Sequence, residues 1–414
     1  MNRNFHWRVI APLILLFAAG CQGTRGGGST KVANSSGKGF ALGVDVLKSN
    51  GFDALRGKRV GLVTNQTGVD GRGTKTRLVL HRAPEVNLVA LYAPEHGIDG
   101  VIPAGEKLGN VRDRATGLTV YSLYGSTRKP TPAMLAGVDT LVFDMQDIGC
   151  RSYTYISTMV KCMEACGEQG KEFVVLDRPN PLGGNRIEGP PIEKQWISFV
   201  GQLPIPYVHG MTTGELAMMT NGRRWMAARC KLTVIPMRGW SRNMLWRDTG
   251  LRWFQTSPNI PHSNSPAYYV ATGILGGLSN VDIGIGKAPF EYAGARSVNG
   301  NALVSYLRSL HTPGVTFTPY SRNGFSGARI SINPRNNTDL TALDVRIIAK
   351  LSQLSNGRIL NIPSSKATLF NKVYGSASLT RDLRRGVSVE RIISGWKKYN
   401  DSFRSKRKPY LIYK

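Results

Sequence analysis

Acidic residues are scarce in this 414-residue chain: 26 Asp and Glu stand against 54 Lys and Arg, a formal charge of +28 at pH 7. That imbalance predicts attraction to polyanions: nucleic acid, anionic lipid or acidic cell-wall polymers. The simpler reading is a solvated basic surface without a specific partner. No basic run is interleaved with aromatics as in RNA- or DNA-binding motifs, so no nucleic-acid partner is expected. Cysteine is also sparse, at five residues. There is no CxxC pair and no Cys/His cluster at zinc spacing, which excludes a disulfide scaffold and a zinc finger. Walker A, GxSxG and HExxH are missing. The glycine-rich stretch 273–286 lacks the strand and helix context of a dinucleotide fingerprint. Neither a metal nor another cofactor is expected.

Long apolar runs are missing as well. The run Val9 to Ala19 has 11 residues, too few to span a bilayer as a helix. It follows Arg3 and Arg8 and ends in Ala18-Ala19-Gly20-Cys21, the plan of a signal peptide over residues 1–20. Its end resembles a bacterial lipobox, with Ala18 where Leu is usual. The resemblance implies cleavage before Cys21 and lipidation of its thiol; plain secretion is the alternative. Residues 21–40, rich in Gly, Ser and Lys, read as the lipidated Cys and a flexible tether. The expectation is an exported, membrane-anchored lipoprotein, periplasmic or on the cell surface. Export permits disulfides, yet Cys162 and Cys166 lie four apart on an expected helix, which favours buried free thiols.

What remains is globular in composition, 41% apolar and 19% charged, and long enough for two domains. Strand and helix signals alternate. Apolar runs fall at 59–64, 88–92, 118–124, 140–143 and 173–176, and all but that at 118–124 stop in a polar cluster. From 154 to 170, Ile156, Met159, Val160, Met163 and Cys166 share one helical face. Continuous apolar strands separated by helices predict a parallel sheet covered on both faces. The fold class is α/β: a parallel-sheet domain (41–205) and a smaller α/β or α+β auxiliary domain (206–414). Thr212 and Glu215 fit a capping box that opens a helix expected to run to about Arg229, so Glu215 has a structural role. Residues 257–269 read as a loop. Helices are expected near 302–310, 340–354 and 389–399, with a strand near 328–332. The stretch 87–100 (NLVALYAPEHGIDG) stands out. A β-prone run stops at Pro94 and delivers Glu95 and His96 at a strand end, where open α/β sheets bind ligands.

The strings GLVTNQTGVD (61–70), LYAPEHG (91–97), LVFDMQDIGCRSYTYISTM (141–159), VVLDRPNPLGG (174–184), IEGP (187–190), PIPYVHGMTTGELA (204–217) and SPNIPH (257–262) occur in order. Together they resemble the exo-β-N-acetylmuramidase (NamZ-like) family, formerly a domain of unknown function. The resemblance runs from about residue 43 to the C-terminal PYLIY. It implies removal of N-acetylmuramic acid from the non-reducing ends of peptidoglycan fragments, in cell-wall turnover or recycling, by a Rossmann-like N-terminal domain and a smaller C-terminal domain with the active site in the cleft between them. One departure is the segment Gly284 to Ala288 before Pro289-Phe290-Glu291, where relatives commonly carry a GRGT-like sequence; no role is carried onto it.

Glycoside cleavage normally uses two carboxyl groups. The expected pair is Glu95 and Glu188, with Asp144, Asp147 and Asp177 as rivals at neighbouring strand ends. The lactyl carboxylate of the sugar calls for a cation, and Arg178 ranks ahead of Arg151. The alternative for both is an internal salt bridge. Tyr153 offers a stacking face. His96, His209 and His262 become site candidates through the resemblance, and Asp144, Gln146, Asp177, Asn180 and Asn259 complete the expected substrate-binding set. The rival function is a non-catalytic muropeptide-binding lipoprotein, which needs a cleft and an arginine but no paired carboxyls.

Overall fold

The computed structural model describes residues 28–33, 39–103 and 105–414. The expected signal peptide and Cys21 lie outside the described residues. The first sheet has eight strands: β1 (Thr30–Val32), β2 (Arg59–Thr64), β3 (Asn87–Ala93), β4 (Val111–Arg112), β5 (Thr119–Ser122), β6 (Thr140–Asp144), β7 (Glu172–Leu176) and β8 (Lys231–Ile235). Their spatial order is β1-β8-β7-β6-β2-β3-β5-β4, and every pairing is parallel except β4 with β5. The apolar runs are continuous because both faces are covered. Leu141 and Phe143 of β6 enter one core, Val142 the other.

Helices α1 (Gly43–Ser49) and α2 (Thr76–Arg82) pack on one face. The short α3 (Pro132–Leu135) follows β5, and α4 (Thr154–Glu168) and α5 (Thr213–Arg223) cover the other face. Eleven of the 15 residues of α4 are buried, because it lies between the sheet and the second domain. The expected capping box of α5 is present: Thr212 Oγ1 accepts from Glu215 N (3.2 Å) and Glu215 Oε2 from Thr212 N (3.1 Å).

The second domain is an antiparallel sheet in the order β11-β12-β10-β9. Its strands are β9 (Val281–Asp282), β10 (Tyr292–Arg296), β11 (Val315–Arg322) and β12 (Phe325–Ile332). Helices α6 (Ser265–Thr272), α7 (Gly300–Ser309) and α8 (Leu340–Leu354) accompany it, and α9 (Ser364–Tyr374) and three further α-helices follow. Tyr155 and Met159 of α4 share a core with Ala267 and Leu343 of the second domain. The two domains are therefore welded by apolar packing.

Four expectations need correction. The domain boundary lies beyond 205, because β8 pairs with β7 inside the first sheet. The tether is not wholly unstructured: Thr30 to Val32 add to the sheet edge, and Thr30 Oγ1 accepts from Asn221 Nδ2 (3.0 Å). Residues 257–269 are not all loop, since Pro266 stands in the first turn of α6, where its missing N–H costs nothing. The helix after Thr212 stops at Arg223, where Arg224 turns left-handed (φ 56°). The four described cysteines are buried and free, as expected.

Candidate active site

Parallel strands deliver their C-terminal ends to one rim. The strand order reverses at β2, which has β6 on one side and β3 on the other, so the ligand crevice of such a sheet falls there. Thr64 pairs with Asp144, so both chains leave the sheet at one level. Asn65 Oδ1 then accepts from the amide (2.9 Å) and hydroxyl (2.6 Å) of Thr67, a tight Asx turn. Thr67 Oγ1 in turn accepts from Gln146 N (2.9 Å). Gln146 Nε2 donates to the carbonyls of Asp147 (2.8 Å) and Pro179 (2.7 Å), and Asp147 Oδ2 accepts from Gly149 N (2.7 Å). Asn65 Nδ2, Gln146 Oε1 and Asp147 Oδ1 stay buried without a partner among the described residues. Buried polar atoms rarely go unpaired, and three on two adjacent strand ends mark a place prepared for polar ligand groups. Burial pushes the Asp147 carboxyl up to about 7. Nearby, Thr67, Asp70, Gln146, Arg178, Trp246 and Phe254 line a cavity of about 210 Å³.

One strand further on, Pro94 ends β3. His96 (φ 72°) and Gly97 (φ 78°) are both left-handed, a conformation that costs a non-glycine residue energy and is common at functional sites. The turn leaves Glu95 only 9% exposed. Its Oε1 accepts from Gly105 N (3.0 Å) and its Oε2 from Thr154 Oγ1 (2.7 Å), at the first residue of α4. His96 Nδ1 donates to the Ile102 carbonyl (2.7 Å), which leaves Nε2 as the acceptor. Burial, then the neighbouring Glu95, pushes the Tyr124 phenol up to about 12.

Aromatic side chains wall the space. Tyr153 donates to Thr256 Oγ1 (2.9 Å), and its ring meets Tyr155 edge-on at 4.8 Å and Tyr269 of α6 at 6.4 Å. Burial is the main cause that raises all three phenols. The charge of Asp147 adds to it at Tyr153, and that of Glu95 at Tyr155 and Tyr269. Both carboxyl groups therefore border one aromatic wall, to which both domains contribute.

Several expected site residues do other work. Glu188 caps α8: its Oε2 accepts from Leu340 N (2.9 Å) and Thr341 N (3.2 Å), and its Oε1 pairs with Arg186 (2.5 Å). Burial and Asp339 push its carboxyl up to about 7 against the pull of Arg186. Arg178 grips Asp144 through two nitrogens (2.6 and 3.0 Å), and Thr76 also donates to Asp144. Arg151 has no carboxylate partner among the described residues. Its guanidinium donates to the carbonyls of Pro190, Ile205, Val373 and Tyr374, pinning α9 to the first domain. Asp177 accepts from Thr212, Gly214 and Tyr413, and Asn180 from Leu182 N while donating to the Met211 carbonyl. His209 is wholly buried, its Nδ1 accepting from Met211 N, and burial with Arg407 and Arg151 nearby lowers it to about 3. In each case a fold-forming partner saturates the group or the core encloses it. Asn259 is half-buried and His262 exposed, on the segment that follows Thr256.

Glu95, His96, Gln146 and Tyr153 therefore stand at the strand-end rim. Asn65, Tyr124 and Thr154 join them without having been singled out from the sequence. Asn65 was legible in one respect: NQTG directly follows an apolar strand, the context that made Glu95 stand out.

Residues 60–264 match the family model described as exo-beta-N-acetylmuramidase NamZ, N-terminal, and residues 267–413 match its C-terminal counterpart. The peptidoglycan beta-N-acetylmuramidase NamZ of Bacillus subtilis (strain 168) is 41% identical over 383 residues, covering 90% of this chain and 91% of that protein. Two crystal structures of DUF1343 family proteins from Bacteroides fragilis NCTC 9343 are similar. One is 43% identical with a TM-score of 0.86, the other 29% identical with a TM-score of 0.72. Each match covers 91% of this chain and 99% of the other.

Proposed function

The chain belongs to the exo-β-N-acetylmuramidase NamZ family, and from that membership we propose an exo-acting glycoside hydrolase that releases N-acetylmuramic acid from the non-reducing ends of peptidoglycan fragments, in cell-wall turnover. The observation that carries the chemistry is the setting of Glu95, a carboxyl oriented by Thr154 and Gly105 on the ligand-facing rim. In this reading Glu95 protonates the leaving glycosidic oxygen. Asp147, with one oxygen unengaged, supplies the second carboxyl that glycoside cleavage uses. The configuration of the released sugar separates direct attack by water, which inverts, from attack by a carboxylate or the sugar's own acetamido group, which retains. A muropeptide-binding protein would have no use for the two carboxyls.

The test is incubation with 4-nitrophenyl β-glycosides of N-acetylmuramic acid and of N-acetylglucosamine. Cleavage of the muramic substrate is expected. Binding without cleavage would favour the capture protein, and neither would overturn the reading.

Export and lipid anchoring belong to the same proposal. Their support is the charged, apolar and small-residue order of residues 1–20 ahead of Cys21. Metabolic labelling with palmitate should mark the protein and be lost in Cys21→Ser.

A further inference from the structure

A muramic acid residue differs from N-acetylglucosamine by its 3-O-lactyl group, an anion that needs a cation. The arginines that sequence reasoning offered are engaged, Arg178 by Asp144 and Arg151 by four carbonyls. Arg186, Arg242 and Arg77 are likewise paired, with Glu188, Glu215 and Asp99. Arg128 differs. It lies in the loop after β5, four residues beyond Tyr124. There Thr127 Oγ1 fixes the turn by donating to the Lys129 carbonyl (2.6 Å) and accepting from Lys129 N (3.1 Å). Lys129 turns away to Glu168 (2.8 Å). Arg128 instead lays its guanidinium against two rings, 4.8 Å from the Tyr124 centroid and 4.5 Å from that of Phe199. It is exposed and has no carboxylate partner among the described residues. The phenol of Tyr124 is neighbour to both Arg128 and Glu95.

We propose that Arg128 is the residue that reads the lactyl carboxylate of the substrate, held in place by Tyr124 and Phe199 beside Glu95. This deepens the muramidase reading and rests on it. The two aromatic faces restrain the guanidinium while leaving its N–H edge free, and a planar fork matches a carboxylate through two parallel hydrogen bonds. Arg128 is a specificity residue here; it has no part in proton transfer.

The test compares wild type, Arg128→Ala and Arg128→Lys on two glycosides, N-acetylmuramic acid and its lactyl carboxamide, which has the same shape without the charge. Wild type should prefer the acid. Arg128→Ala should lose roughly ten- to a hundredfold in kcat/KM on the acid and little on the amide, so the preference collapses. Arg128→Lys, which keeps the charge but not the fork, should recover part of it. A purely structural role would lower both substrates together and leave their ratio unchanged, and that result overturns the proposal. If wild type cleaves neither glycoside and binds no free N-acetylmuramic acid by calorimetry, the muramidase reading itself fails, and this assignment with it. The two failures are thus distinguishable.

Discussion

Glu95→Gln separates proton transfer from scaffolding. The carboxylate receives two hydrogen bonds of different kinds, from the amide of Gly105 (3.0 Å) and the hydroxyl of Thr154 (2.7 Å). A backbone amide can only donate, whereas a hydroxyl can reverse. A glutamine can therefore turn its oxygen to Gly105 and its NH₂ to Thr154, so both contacts survive. What is lost is the charge assistance, worth about 1 kcal/mol, and the melting temperature should fall by only a few degrees. The amide has no proton to give. A general acid contributes ~10²–10⁴ in rate, so kcat on the muramic glycoside should drop by at least ~10². The assay pairs steady-state kinetics with a thermal melt followed by circular dichroism. A folded Glu95→Gln protein that keeps more than roughly a tenth of wild-type kcat would remove Glu95 as the proton donor. A collapse in stability would instead show that the hydrogen-bond exchange argued here does not occur.

Arg151→Lys should be a stability variant: one ammonium can satisfy at most three of the four carbonyls. We expect a loss of about 2–4 kcal/mol with the acid-to-amide preference unchanged; a changed preference would return Arg151 to the binding site. Glu188→Ala takes the carboxylate from Arg186 and leaves the Leu340 and Thr341 amides at the start of α8 without their acceptor, at a cost of about 3–5 kcal/mol. Activity per folded molecule should stay within a few-fold, and loss of turnover without loss of stability would restore Glu188 as a catalytic group. His209 sits at about 3 in the fold, below its ordinary 6.5, so the unfolded chain binds a proton the folded one refuses. Its contribution to stability is present above about pH 6.5 and is lost as the pH falls toward 3, by about 2 kcal/mol at pH 5. Burial raises Asp147, Glu188 and Asp177, and they act in the opposite direction, but equally in both proteins. Between pH 7 and pH 5 the melting temperature of His209→Gln should therefore shift upward relative to that of the wild type, and identical shifts in the two proteins would refute it.

The parallel sheet was legible because each strand is a continuous apolar run, and α4 because its apolar spacing is helical. Glu95 was legible for a related reason: proline and a left-handed turn at a strand end place a carboxyl on the ligand rim. The structural partners of Glu188 and Arg151 were not legible because they are distant in sequence, Leu340 being 152 positions away from the one and Tyr374 223 from the other. No local pattern reports such a contact. Arg128 was hidden among 54 cations until the fold set it against Phe199 and left it without an acid. The strand β10, reading YAGAR, carries too little apolar signal to be seen before β12 pairs with it.

The edge strand β1 fixes which way the molecule points. It runs parallel to β8, so the chain enters at the sheet margin opposite the rim that carries Glu95 and Asp147. If Cys21 bears a lipid, as proposed, eight residues separate it from Thr30, an extended reach of about 30 Å. The bilayer would then hold the protein from below on a short leash, its mouth turned outward toward the glycan mesh. Freed chain ends drifting from the wall would meet the opening, while material lying along the membrane would meet its back.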